Sequence, residues 1–330
     1  MTKSHADNMV TTSAKHSSTE PTTEIAIRAY GLMRSGNHAI ISWIENQYPG
    51  QSICFLNNIK LDSTDPYKDF VQIELHNIAA DLPIETVRHL KKHLLIYSYE
   101  DRESLASGNG SLLDAVLDAE KHRIVSGSLL GYRHHFTTGI LRDPFNCFAS
   151  RLALIRKRGA LGGVSDMTMV KENWKQIARK AISLEAHPED GHIIILYNSW
   201  LESDAYRRKI SDLLMGNYKD NTLTSIPFYG GGSSFDVNRR LRWRATLIDA
   251  SKKWKKALSP TGIRKIPNYL RSRLSPQLDT NQLNNRWLTL ANDQEFRELL
   301  RDKELIELSR HLFVKLHKAR TPLQKFLASL

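Results

Sequence analysis

Residues 31–38, GLMRSGNH, carry the glycine spacing of a phosphate-binding loop, Gly31-x-x-x-x-Gly36. A strand that ends in one glycine and turns at another into a helix aims several backbone N–H groups at one point. The helix N-terminus adds partial positive charge there. Arg34 and Ser35 add side-chain donors. Loops that hold nucleoside triphosphates close the motif with Lys and then Ser or Thr. Here Asn37 and His38 stand in those places, so nothing evident grips a magnesium-bound β,γ-phosphate pair. The residues present suit a single phosphate. The competing reading is an ordinary strand-to-helix turn, where glycine is common.

A second stretch, ILRDPFNCFASR, places Arg142 at a predicted strand end and Ser150 eight residues on, on the helix that follows. Asp143 suits the cap of that helix and Pro144 its first turn. Phe145, Phe148, Ala149 and Leu152 form its apolar stripe, while Ser150 shares another face with Asn146. The planar fork of Arg142 and the Ser150 hydroxyl can share one phosphate. The alternative is a surface arginine paired with Asp143 and a serine exposed by chance.

The elements that must position these groups follow from periodicity. EIAIRAYGL (24–32), SICFLNN, FVQIELHN, LLIYSYED (94–101), GILRD (139–143) and HIIILYNSW read as strands. The last is a continuous apolar run, as in the middle of a sheet covered on both faces. Ile40, Ile41, Ile44 and Tyr48 repeat with helical spacing, as do Val170, Trp174, Ile177, Ala181 and Leu184. Near the end, Asn292 and Glu295 are placed to form a capping box before EFRELLRD. Strands alternating with helices predict an α/β fold, a three-layer sandwich with a mostly parallel central sheet and helices on both faces.

At this point the chain resembles the PAPS-dependent sulfotransferases. RSGNH is similar to their 5′-phosphosulfate loop, and RDPFNCFAS to their 3′-phosphate motif with Arg and Ser at the same spacing. The resemblance covers roughly residues 24–235 and is closest to carbohydrate-sulfotransferase-like members, which often carry Arg-Ser-Gly. It implies a P-loop-like fold and 3′-phosphoadenylyl sulfate (PAPS) as donor, without obligatory magnesium. It also implies a hydroxyl acceptor, here a carbohydrate or glycoconjugate. The donor-binding residues it implies are Arg34, Ser35, Gly36, Asn37, His38, Arg142 and Ser150. Tyr197 would lie near the adenine, and Gly231, Gly232 and Ser233 in FYGGGSSFD would close over the nucleotide. Arg34 is the candidate for stabilising the leaving phosphate. Members use a His or Glu base after the strand that follows the phosphate-loop helix. The corresponding place here offers Glu100 first and Asp101 second, with His76 in reserve. The bland reading of EDRE is a solvated acidic turn. His134 and His135 lack a third ligand and suit a structural turn better than a metal site.

Bulk composition bounds the alternatives. The 330 residues are 41% hydrophobic, enough for one large core. Residues 1–23 are polar and rich in Ser and Thr and predict a disordered tail, leaving 24–330 as one domain. Two cysteines, Cys54 and Cys147, argue against a disulfide framework and for a reducing cytoplasm. The net charge of +12 is concentrated in residues 239–273, where twelve basic residues meet one acid, Asp249. That block is a solvated basic face, an acceptor-binding lid, or a peripheral contact with an anionic membrane surface. No nucleic-acid motif accompanies it. Two other functions remain open: a P-loop kinase, and a non-catalytic protein that binds acidic polymer or membrane through the basic block.

Overall fold

The computed structural model describes residues 21–101, 111–158, 166–220, 286–318 and 322–330. The Gly/Ser stretch with Gly231, Gly232 and Ser233, the basic segment 239–273 and residues 1–20 of the expected tail lie outside them. Among the described residues no helix is long and apolar enough to cross a membrane.

The elements run β1 (Thr23–Gly31), α1 (Asn37–Glu45), β2 (Ile53–Asn57), β3 (Gln72–His76), α2 (Ile84–His89), β4 (Lys92–Glu100), α3 (Leu112–Leu117), α4 (Ala119–Ser128), β5 (Tyr132–Leu141), α5 (Pro144–Arg158), α6 (Met167–Ala186), β6 (His192–Leu196), α7 (Tyr197–Glu202) and α8 (Asp204–Leu213). Helices over Gln294–Leu300 and Lys303–Leu312 follow. The six strands lie in the order β3-β2-β4-β1-β5-β6. All pairings are parallel except β2 with β3, which is antiparallel.

β1 is buried on both faces because it lies inside the sheet. Ile25, Ile27 and Ala29 point into a core shared with Ile40, Ile41 and Ile44 of α1 and Trp200 of α7. Ala26 and Tyr30 point into the opposite core, shared with Phe148 of α5 and Trp174 of α6. Two cores, one on each side of the sheet, make the expected three layers.

Four expectations need correction. HIIILYNSW is not one strand: β6 stops at Leu196 and α7 begins at Tyr197. Tyr197, Trp200 and Leu201 continue the apolar run at helical spacing into the α1 core, and a short apolar run does not distinguish the two elements. β5 starts at Tyr132 rather than Gly139, its first half being partly exposed and polar. The last cap is Asp293, not Asn292: the Asp293 side chain accepts from Phe296 N–H. β1 begins at Thr23, one residue inside the expected tail, and that residue is buried.

α6 is tied to the end of β5. Trp174, fully buried, donates through Nε1 to the carbonyl of Arg142 at 2.8 Å. Trp174→Phe keeps most of the apolar contact but removes that donor from a buried carbonyl. A loss of about 1–3 kcal/mol is expected in urea denaturation, and an unchanged midpoint would show that the bond contributes nothing.

Candidate functional site

The carboxyl ends of the parallel strands bring the sequence motifs together. Gly31 of β1 pairs in register with Glu100 of β4 on one side and Ile140 of β5 on the other. Leu141 pairs with Leu196, which precedes Tyr197. Open α/β sheets bind ligands at this edge, where successive connections leave in opposite directions.

The loop between β1 and α1 is tightly built. A Cβ on Gly31 would lie 2.5 Å from Asn37 Oδ1 and 2.9 Å from the carbonyl of Ile140. Gly36 adopts φ of 94°, and a Cβ there would lie 2.3 Å from the Tyr197 ring. Both positions therefore need glycine, the second on two counts. Arg34 also takes a left-handed φ, 79°, uncommon for a side chain of its size. Gly36 caps α1 without a side chain, which leaves the first N–H groups of the helix free of any side-chain cap.

A buried ion pair braces this loop from below. Asp101 accepts the Met33 N–H at 2.7 Å through Oδ1. Arg151 donates to both Asp101 oxygens, at 3.3 and 2.9 Å, and to the Met33 carbonyl at 3.2 Å. Both side chains are almost completely buried. Asp101 is held in a bidentate pair with Arg151 under the loop.

Glu100 is placed differently. It is partly exposed at the end of β4, and its Oε1 accepts from Asn37 Nδ2 at 2.8 Å. The same amide also donates to the Leu32 carbonyl at 3.1 Å. Burial pushes the Glu100 carboxyl above its ordinary value, while the Asn37 bond and nearby His38 oppose the rise. Asn37 thus orients Glu100, where its sequence position suggested a ligand donor. His38 rests edge-on against Phe55, ring centroids 6.5 Å apart.

The second motif meets the first. Arg34 Nε donates to Ser150 Oγ at 3.2 Å across 116 residues of sequence. Arg142 lies over the Tyr197 ring, its guanidinium carbon 4.9 Å from the centroid, within the range of a cation–π contact. Since the same ring abuts Gly36, Tyr197 links Arg142 to the loop. Asp143 does not serve Arg142 as a surface partner: it is buried, caps Asn146 N–H at 2.8 Å and accepts from Asn198 Nδ2 at 3.0 Å. Ser150 and Arg142 are themselves buried rather than surface residues. Ser35 turns inward, its Oγ 3.6 Å from Cys147 Sγ. Burial raises that thiol to about 11, so it is neutral and unreactive at neutral pH.

Three sequence candidates lie elsewhere. His76 ends the edge strand β3 beside Glu45. His134 and His135 point to opposite faces of β5. His134 is exposed, and the ring of His135 is hydrogen-bonded to Tyr97 Oη at 2.9 Å. Sequence reasoning missed Arg151 and Asn198. A signal for Arg151 existed: a charged residue three positions after Phe148, on the apolar side of α5, needs a buried partner.

No protein-family model and no curated protein matches the chain. Among solved structures it is similar to the sulfotransferase domain from the Synechococcus PCC 7002 olefin synthase, at 13% identity and TM-score 0.43. That likeness covers 89% of this chain and 95% of that one. It is also similar to mouse sulfotransferase SULT7A1 complexed with PAP, at 13% identity and TM-score 0.34, over 84% of this chain and 88% of that one.

Removing Arg151 would strand a buried carboxylate. Arg151→Met is expected to cost about 3–5 kcal/mol in chemical denaturation. A loss below ~1 kcal/mol, the range of an exposed pair, would mean that the pair does not brace the loop.

Proposed function

We propose that this protein is a PAPS-dependent sulfotransferase that moves a sulfuryl group to a hydroxyl acceptor, a carbohydrate or glycoconjugate. The observation that carries the reading is the meeting of two phosphate motifs, Arg34 on Ser150, beside a partly buried carboxylate held by the same loop. A lone phosphate and a 5′-phosphosulfate need two separate anion sites and no triphosphate cradle. The place of the nucleotide-loop lysine is taken by Asn37, whose amide is already committed to Leu32 and Glu100. This disfavours a kinase.

In this reading the glycine turn and the uncapped start of α1 hold the 5′-phosphosulfate through backbone N–H groups. Arg142 and Ser150 hold the 3′-phosphate, and Tyr197 supports the adenine side. Arg34 stabilises negative charge developing on the bridging phosphate oxygen. The acceptor oxygen forms a bond to sulfur as the bond from sulfur to the phosphate oxygen breaks. Glu100 takes the acceptor proton, and 3′-phosphoadenosine 5′-phosphate leaves with the electron pair. The chemistry is chiefly in-line placement. The 239–273 block, next in sequence after the Gly/Ser stretch, serves in this proposal to attract an anionic acceptor.

Two measurements test the proposal. 3′-Phosphoadenosine 5′-phosphate at ~100 times its dissociation constant should stabilise the protein by about 2.7 kcal/mol, ATP–magnesium should not, and Arg142→Ala should abolish the effect. A shift with ATP–magnesium alone would overturn the donor assignment.

Glu100→Gln should retain the nucleotide shift and lower turnover by roughly 10²–10⁴-fold. The active form of Glu100 is ionised and its pKa is raised, so turnover should fall with acidification above the ordinary carboxylate range. The Asn37 bond favours the ionised form, so Asn37→Leu should move that acid limb to higher pH. An acid limb unmoved by Asn37→Leu would remove Glu100 from the role of base.

A further inference from the structure

Away from the phosphate loop, at the far end of α1, three potential metal ligands converge. Glu45 closes α1, while Glu74 and His76 stand two residues apart on the same face of β3. Their ligand atoms all lie within 4.8 Å of one another. The Glu45 side chain is nine-tenths buried, and its Oε1 makes no hydrogen bond. A buried carboxylate oxygen that lacks a hydrogen bond is costly. The Glu45 oxygen forms an ion pair with His76 Nε2, 3.6 Å away, when that ring is protonated. That is long for a hydrogen bond but near the ~3.3 Å edge of a tetrahedron built on metal–ligand bonds of about 2.0–2.1 Å.

We propose that Glu45, Glu74 and His76 form a binding site for a divalent transition-metal ion, with zinc as the fitting probe. One imidazole nitrogen and two carboxylate oxygens match its borderline preference, whereas magnesium and calcium favour oxygen alone. Water completes the coordination. Gln72, the next residue along the same face, donates through Nε2 to Glu74 Oε1 at 3.3 Å, the kind of outer contact that orients a ligand. The ion would neutralise two adjacent carboxylates. It would also clamp the antiparallel edge strand β3 onto α1. Glu45 is about 13 Å along the helix from Gly36, and the site is independent of the sulfuryl-transfer reading.

The test is zinc binding to the full-length chain after treatment with chelator, followed by melting temperature and titration calorimetry. Zinc chloride should raise the melting temperature, and magnesium chloride should not. His76→Ala, at an exposed position, and Glu45→Gln should lose the shift. Gln72→Ala should bind zinc roughly 10–100-fold more weakly. The chain carries 13 histidines, so binding alone is not diagnostic. A zinc shift retained in His76→Ala, no shift in the unaltered chain, or an equal shift with magnesium would each overturn the site.

Discussion

The pair between Asp101 and Arg151 is the constraint on which the candidate site rests. It is an expensive arrangement: two charges leave water, and only a bidentate geometry with further bonds offsets that cost. Here the further bonds go to Met33, one through its N–H and one through its carbonyl. The loop at Met33 is therefore held from both directions by charges that have nowhere else to go. Arg34 follows immediately, in its left-handed conformation, and emerges toward Ser150. Strained conformations persist where the surroundings over-determine them, and the ion pair supplies that determination.

The adjacent acids at the end of β4, Glu100 and Asp101, show how much could be read in advance. A strand sends successive side chains to opposite faces. In LLIYSYED, Leu94 and Ile96 face α1, while Leu95, Tyr97 and Tyr99 face α5. Continuing the alternation puts Glu100 with α1 and Asp101 with α5, where they are found. The division between a carboxylate in the site and a carboxylate under it was thus legible from period alone. What the sequence did not supply was the partner of each, because Asn37 and Arg151 lie 63 and 50 residues away. The same alternation separates His134 from His135.

Other features were hidden for physical reasons. The run from His192 to Trp200 is apolar throughout, and both a buried strand and a buried helix satisfy that pattern. Its break at Tyr197 depends on tertiary packing against α1 and on Asn198 reaching Asp143. The first half of β5 carries Arg133 and His134 at exposed positions and lacks a strong apolar signature. Charge counting found the basic block but not the small cluster at Glu45, whose members are 31 residues apart in sequence at the widest. The three-layer α/β architecture was legible because it follows from alternating elements, each apolar on the side it must bury.

The in-register pairing of Gly31 with Glu100 has a mechanical meaning. The cradle and the carboxylate are neighbours in one hydrogen-bonded ladder, joined again by the Asn37 amide. They form one half of a vice. Facing them, Arg142 sits on the turn between β5 and α5, Tyr197 on α7 and Ser150 on α5. Under the proposed function, the ladder would set the spacing between the loop and the Glu100 carboxylate, and selectivity among guests would fall to the facing side chains.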